Sequence, residues 1–146
     1  MEHIHVYDPG NQPTEQQKND LIDFLFDQLE QYGDPRPNIE TCLNYALSSE
    51  KGQGGFAVVL EDNGKIKGAT IINNTGMKGY IPENVLVYIA THRDHRGEGL
   101  GRKVMTSAIE RAEGDIALHV EKDNPAKFLY GKLGFTNPYL EMRLKK

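Results

Sequence analysis

Three glycines alternate in Arg96-Gly97-Glu98-Gly99-Leu100-Gly101, between the apolar run Val85 to Ala90 and a helix-forming stretch. Glycine tolerates positive φ and has no Cβ, so the backbone there can turn sharply and come close to a ligand. A helix starting at such a turn leaves its first amide N–H groups without internal acceptors, and its dipole adds positive potential at the same end. Together these favour an anion. Arg96 at the mouth, with Arg102 and Lys103 in the first helical turn, adds charge suited to a pyrophosphate. Three phosphate motifs compete. A dinucleotide fingerprint needs a glycine three residues after Gly99, where Arg102 stands, and a P-loop needs Gly-Lys-Ser/Thr, which is missing here. The pattern Arg/Gln-x-x-Gly-x-Gly/Ala after a buried strand is met at every fixed position.

The elements that must position this turn follow from periodicity. His3 to Tyr7 reads as an opening strand closed by Asp8-Pro9-Gly10. Thr14 with Gln17 three residues on is a capping-box spacing. Behind it Leu21, Ile22, Leu25, Phe26 and Leu29 recur at helical spacing, ending near Gly33. Gly33 to Pro37 reads as a stiff loop, followed by a shorter helix from Ile39 to about Leu47. Phe56 to Leu60 and Lys65 to Asn73 flank Asp62-Asn63-Gly64, a strong hairpin signal. Asn84 to Thr91 is apolar on both faces and belongs inside a sheet. After the glycine turn come a helix (Leu100 to Arg111), a strand (Ile116 to Val120), a helix (Asn124 to Leu133) and a closing strand (Tyr139 to Leu144). The order β-α-α-β-β-β-α-β-α-β predicts a mixed α/β sheet with helices on both faces.

Composition narrows the function classes. A length of 146 residues predicts one domain, and 38% apolar with 26% charged residues is ordinary globular usage. With 17 basic against 21 acidic residues the net charge is −4, which argues against nucleic acid as a partner. Cys42 is the single cysteine, so neither a disulfide framework nor a multi-cysteine zinc site is available, and no metal is expected. The six-residue run Val85 to Ala90 is too short to span a bilayer. No basic-apolar leader is visible, and the expectation is a cytoplasmic protein without membrane association.

A second motif gives the glycine turn a context. Asn124-Pro125-Ala126-Lys127-Phe128-Leu129-Tyr130-Gly131-Lys132-Leu133-Gly134-Phe135 is a tyrosine-bearing helix closing on Leu-Gly-Phe. In this order, one helix and one strand apart, the two motifs resemble those of the GCN5-related N-acetyltransferases (GNAT), and the likeness extends over nearly the whole chain. The resemblance implies that the amides of Arg96, Gly97, Glu98, Gly99, Leu100, Gly101 and Arg102 hold the pyrophosphate of acetyl-coenzyme A. It also implies that the backbone of Ile89, Ala90 and Thr91 pairs with the pantetheine arm, with the Ile89 amide aimed at the thioester carbonyl. Asn124 and Lys127 are the expected contacts from the second motif. Relatives place an asparagine where Asp123 stands here, so whether Asp123 or Asn124 reaches the cofactor is open.

The same resemblance assigns Tyr130 as the general acid for the departing thiolate. A general base is less legible, because the strand glutamate usual in relatives is Val85 here. Glu83, two residues earlier on the same face, is the expected base, acting through a water; His92, His119 and Glu121 are alternatives. Specificity is expected from Gln28, Tyr32, the Pro35 to Pro37 loop, Tyr80 and Tyr88. Asp27, Glu30 and Asp34 would favour a cationic amine. Arg93 and Asp94 read as a solvated loop. The implied activity is transfer of acetyl to the primary amine of a small molecule by direct attack in a ternary complex. Another acyl-coenzyme A, a protein amine, or a non-catalytic acyl-coenzyme A sensor are the alternatives. The short end after Gly134 could pair with a partner's sheet in a homodimer.

Overall fold

The computed structural model describes all 146 residues. Five strands lie in sequence order: β1 (Glu2–Tyr7), β2 (Gly55–Asp62), β3 (Lys65–Asn74), β4 (Asn84–Thr91) and β5 (Ile116–Leu118). The first four pair antiparallel, and β5 runs parallel to β4. Helices α1 (Glu15–Leu29) and α2 (Arg36–Ala46) cover one face, while α3 (Leu100–Arg111) and α4 (Ala126–Lys132) belong to the other. Leu21, Ile22, Leu25, Ile39 and Leu43 bury against Val59, Ile71 and Tyr88 on the first face. Leu100, Val104 and Met105 bury against Val58, Leu60, Ile72 and Leu86 on the second, where Tyr130 joins them.

Local signals behave as their chemistry dictates. The Thr14 hydroxyl accepts the Gln17 N–H at 3.1 Å and the Gln17 side chain accepts the Thr14 N–H at 2.8 Å, completing the capping box. Asn63 and Gly64 both take positive φ, 55° and 76°, the pair that a tight β2–β3 hairpin requires.

The decisive irregularity is in β4. Ile71 faces Tyr88 across the ladder, but Ile72 faces Leu86, so Val87 has no opposite residue. This β-bulge switches the side-chain alternation. Leu86 packs with α3, whereas Tyr88 and Ala90 turn to α1 and α2. Beyond Leu86 the strand also loses its neighbour, because β5 pairs only Ile116–Leu118 with Asn84–Leu86. From there to Thr91, β4 presents a free backbone edge at the parting of two parallel strands. The buried Thr70 hydroxyl donates to the Tyr88 carbonyl at 2.7 Å, satisfying an acceptor next to the bulge.

Four expectations need correction. Phe26 is 50% exposed; Phe24 occupies the core instead, because α1 presents the 21–22–24–25–28 face to the sheet. Helix α2 starts at Arg36 rather than Ile39, since proline is tolerated in a first turn where its missing N–H is not needed. Strand β5 stops at Leu118, short of Val120. Tyr139 to Leu144 forms no strand within the chain: alternation supplies faces, but a ladder also needs a neighbouring backbone, and here none is paired.

Thr70→Val keeps the shape and removes the hydroxyl, leaving the Tyr88 carbonyl short of a donor. A loss of about 1–2 kcal/mol is expected. Thermal denaturation should show Tm lower by roughly 2–8 °C.

Candidate active site

The glycine turn sits at the C-terminal end of β4. Gly97 and Gly99 take positive φ, 86° and 81°, and a Cβ at either would meet only open space. Their need for glycine is therefore conformational. Gly101 differs: a Cβ there would lie 3.3 Å from Leu129 Cδ2 and 3.6 Å from Thr91 Cγ2. It is the point where α3, α4 and the end of β4 meet. Within the chain, the N–H groups of Gly97, Gly99, Leu100, Gly101 and Arg102 donate to no acceptor. Helix α3 starts at Gly99 with no side-chain cap, so these donors and the helix dipole converge on one spot.

Cations and braces surround it. The Arg96 guanidinium donates to the Gln28 carbonyl at 3.1 Å, and Lys103 pairs with Glu2 at 2.7 Å. Glu98 pairs with His95 at 3.2 Å, across the turn rather than towards a ligand. Arg102 has no carboxylate partner. Arg93, read from sequence as solvated, is tied down. Its N–H donates to the buried Gln28 Oε1 at 2.8 Å and its guanidinium to the Asp27 carbonyl at 2.9 Å. The Asp27 and Glu30 carboxylates lie 3.3 and 3.4 Å from it. Gln28 is thus a bracket joining the end of α1 to the turn, not a residue facing substrate. No motif marks it; a glutamine at a buried position of an apolar helix face was the available signal.

Ile89 packs beside the cluster that contains Leu100 and Tyr130, so the parting of β4 and β5, the glycine turn and α4 share one wall. Tyr130 is 7% exposed and packs against Phe135, ring centroids 6.1 Å apart. Its hydroxyl donates to no acceptor in the chain. Burial pushes its pKa up to about 12. Asn124 Oδ1 accepts the Ala126 N–H at 2.9 Å, closing a local turn just ahead of α4. Asp123 is exposed, and its carbonyl accepts the Tyr32 hydroxyl at 3.4 Å, a contact reaching from the α1–α2 connection to the β5–α4 loop. Lys127 donates to the Lys122 carbonyl and lies over the Phe128 ring at 5.4 Å.

The expected base is placed apart from this group. Glu83 precedes β4 and accepts the Asp115 N–H at 3.0 Å, a bond that holds its carboxyl below the usual range. It lines an open recess of about 770 Å³ with Asp8, Phe56 and Arg111. Six residues of extended chain separate Glu83 from Ile89, about 20 Å. His92 Nδ1 accepts the Asp94 N–H at 3.1 Å, while His119 and Glu121 are exposed. The carboxylate beside the bulge is Asp34, which accepts the Tyr88 hydroxyl at 2.6 Å. Burial and this carboxylate raise the Tyr88 pKa. Tyr80 is 79% exposed in the β3–β4 loop, and Arg36 pairs with Asp23.

A sequence model described as the Acetyltransferase (GNAT) family matches residues 18–135, from α1 through the second motif. The chain belongs to this family. Among solved structures, the acetyltransferase superposes on the aminoglycoside N-acetyltransferase AAC(6')-Iy in complex with CoA at TM-score 0.70 and 14% identity, covering 100% of this chain and 96% of that one. An alanine N-acetyltransferase of a ribosomal protein from Escherichia coli gives 0.67 at 18% identity, covering 95% and 80%. The corresponding enzyme of Brucella melitensis gives 0.65 at 15%, covering 100% of both chains. At these identities the likeness establishes the fold. No curated protein sequence matches. Among the helices of this acetyltransferase none is long and apolar enough to cross a membrane.

Buried acids with raised pKa, among them Cys42, Tyr130, Tyr88 and Tyr7, set the alkaline limit of stability. Burial pushes the Cys42 thiol up to about 12 from 9.0, as it pushes Tyr130 from 10.0. The unfolded chain therefore loses these protons first. Their contribution is fully present below pH 9.0 and is lost as pH rises towards about 12. Tm should be level up to about pH 9 and then fall, with a shallower fall in Cys42→Ala.

Proposed function

We propose that the protein transfers the acetyl group of acetyl-coenzyme A to the primary amine of a small molecule by direct attack in a ternary complex. The observation that supports this best is the convergence of unpartnered α3 amides, the free edge of β4 from Val87 to Thr91, and the Tyr130 hydroxyl along one wall. The turn would hold the pyrophosphate and the β4 edge would extend the pantetheine arm like an added strand. The thioester would then lie at the Ile89 amide. Bound there, the coenzyme supplies the activated acyl group; orientation and proton handling fall to the chain.

The nitrogen lone pair forms the new bond to the thioester carbonyl carbon, and the carbonyl electrons move onto oxygen. An amide N–H aimed at that oxygen, which the resemblance assigns to Ile89, stabilises the charge by a few kcal/mol. Return of those electrons expels the coenzyme thiolate, and the extra proton on the nitrogen passes through solvent to that thiolate, leaving a neutral amide and a thiol. Tyr130 at about 12 against an ordinary thiol near 8.5 makes full proton transfer uphill by about 5 kcal/mol. Its role is therefore to hydrogen-bond the thiolate while remaining protonated. Orientation of amine against thioester contributes about 7–11 kcal/mol.

Amine recognition falls to the α1–α2 connection. Asp27 and Glu30 are matched by Arg93, which leaves Asp34, fixed by Tyr88, to attract a cationic amine and take part in its deprotonation. Glu83, engaged by Asp115, serves the β4–β5 end instead. The Tyr32–Asp123 contact spans the space between the two sides and favours a compact acceptor over a continuous peptide.

Acetyl-coenzyme A at 100 times its Kd adds about 2.7 kcal/mol of stability. The resulting Tm rise is roughly 5–10 °C; no shift with acetyl-, succinyl- or free coenzyme A would overturn the reading. Tyr130→Phe should lower kcat about 100- to 1,000-fold at unchanged coenzyme A affinity, the worth of one hydrogen-bond donor to developing charge. In the parent enzyme, kcat should rise with pH and then hold level, with no fall from Tyr130 below about pH 11. Asp34→Asn should raise KM for a cationic amine about fivefold, the worth of a ~1 kcal/mol ion pair.

A further inference from the structure

We infer that Lys67, acting through His95, holds the Glu98 carboxylate off the anion site of the glycine turn, and that this three-residue chain sets how tightly the turn takes a pyrophosphate. The inference deepens the proposed coenzyme site and rests on it. Its starting point is a misfit. Arg96-Gly97-Glu98-Gly99-Leu100-Gly101 gathers unpartnered amides and the positive end of α3, yet its central side chain is an anion. A carboxylate left free there has two places to go, and both oppose a phosphate. It can turn onto the open amides of α3 and cap them itself. It can also take Arg102, four residues on, which has no carboxylate partner.

Glu98 does neither. Its Oε2 accepts the His95 Nδ1–H at 3.2 Å, and across the ring His95 Nε2 accepts from the Lys67 ammonium at 3.0 Å. The order of donors is forced. An ammonium only donates, so Nε2 is the bare nitrogen and Nδ1 carries the proton. The ring thus relays the lysine's charge: polarised at Nε2, it becomes a stronger donor at Nδ1. Lys67 itself has no carboxylate within ion-pair distance, so Glu98 is the anion that its ammonium serves.

Two backbone features bring Lys67 to the turn. Across the β2–β3 ladder Leu60 faces Gly68 and Glu61 faces Ile66, so Lys67 lies opposite no residue. A bulge of this kind re-aims a side chain. The Lys67 carbonyl also accepts the His92 N–H at 2.8 Å, which ties the chain entering the turn to the same residue. His95 is steadied in its place by His92, whose carbonyl accepts the His95 N–H at 2.9 Å and whose ring stands edge-on at 5.5 Å. Glu98 has no such anchor of its own. Its side chain is 56% exposed and is free to swing once His95 is removed.

Isothermal titration of the full chain with free coenzyme A tests this without turnover. His95→Ala and Lys67→Met should each weaken binding roughly three- to tenfold, the effect of one like charge about 4 Å away in water. The loss should shrink as salt is raised. Dephospho-coenzyme A, which keeps the pyrophosphate, should show the same loss, and pantetheine, which lacks it, should show none. In the Glu98→Gln background neither substitution should change the affinity. The three side chains lie outside both apolar cores, so the fold should persist in every variant. A loss that survives in Glu98→Gln would mean that Lys67 or His95 acts on the phosphate or on the shape of the turn directly, and it overturns the inference. Unchanged affinity in the single variants overturns it equally. A parent chain that binds no coenzyme A overturns the coenzyme site itself, and the inference with it.

Discussion

A single unpaired residue, Val87, sets the geometry on which the rest depends. A regular β4 would have sent Leu86 and Tyr88 to the same face and carried its ladder evenly along the sheet. The bulge sends Leu86 under α3 and Tyr88 under α1, so the strand belongs to two cores in succession. It lies where β5 ceases to pair, and the two parallel strands part just after it. Ladder hydrogen bonds normally consume every backbone group of a central strand. Here a central strand keeps some of its groups free, in reach of the helix terminus that follows. That is an expensive arrangement in a folded core, and Thr70 offsets part of it.

The helix pair on the first face reaches across to the turn on the other. The end of α1 holds the residues leading into the glycine turn through both the carbonyl and the side chain of Gln28. Arg93 completes the connection through Asp27 and Glu30. The chain then leaves α1 by a 3-10 turn into Tyr32 and Asp34, which contact the β5–α4 loop and β4 respectively. The α1–α2 connection is therefore anchored at one end to the glycine turn.

Much of this was legible from residue order. The glycine turn, the tyrosine helix and the element sequence up to α4 follow from motifs and periodicity, and the family match spans the same region. Strand β4 and helix α3 occupy the ranges that their patterns indicate. What pattern could not supply was register. The bulge at Val87 is invisible in an unbroken apolar run, yet it determines which face Tyr88 and Ile89 occupy. Counting residues along one strand sets Glu83 beside the site, whereas the Asp115 amide engages it at the far end. Gln28 and Arg93 lie 65 positions apart, and no local rule connects them. Tyr139 to Leu144 shows the converse limit: alternation is a property of one strand, but a ladder is a property of two.

Under the proposed reaction, the Gln28 bracket couples two binding events. Whatever orders residues 93 to 101 also orders the end of α1, because they share hydrogen bonds. By linkage, an anion that stabilises the turn and an amine that stabilises the α1–α2 connection each raise the affinity of the other by the same factor. Conformational entropy lost when the first ligand settles is not lost again for the second. In the proposed reaction that coupling comes from a single residue of α1 rather than from any contact between the two substrates.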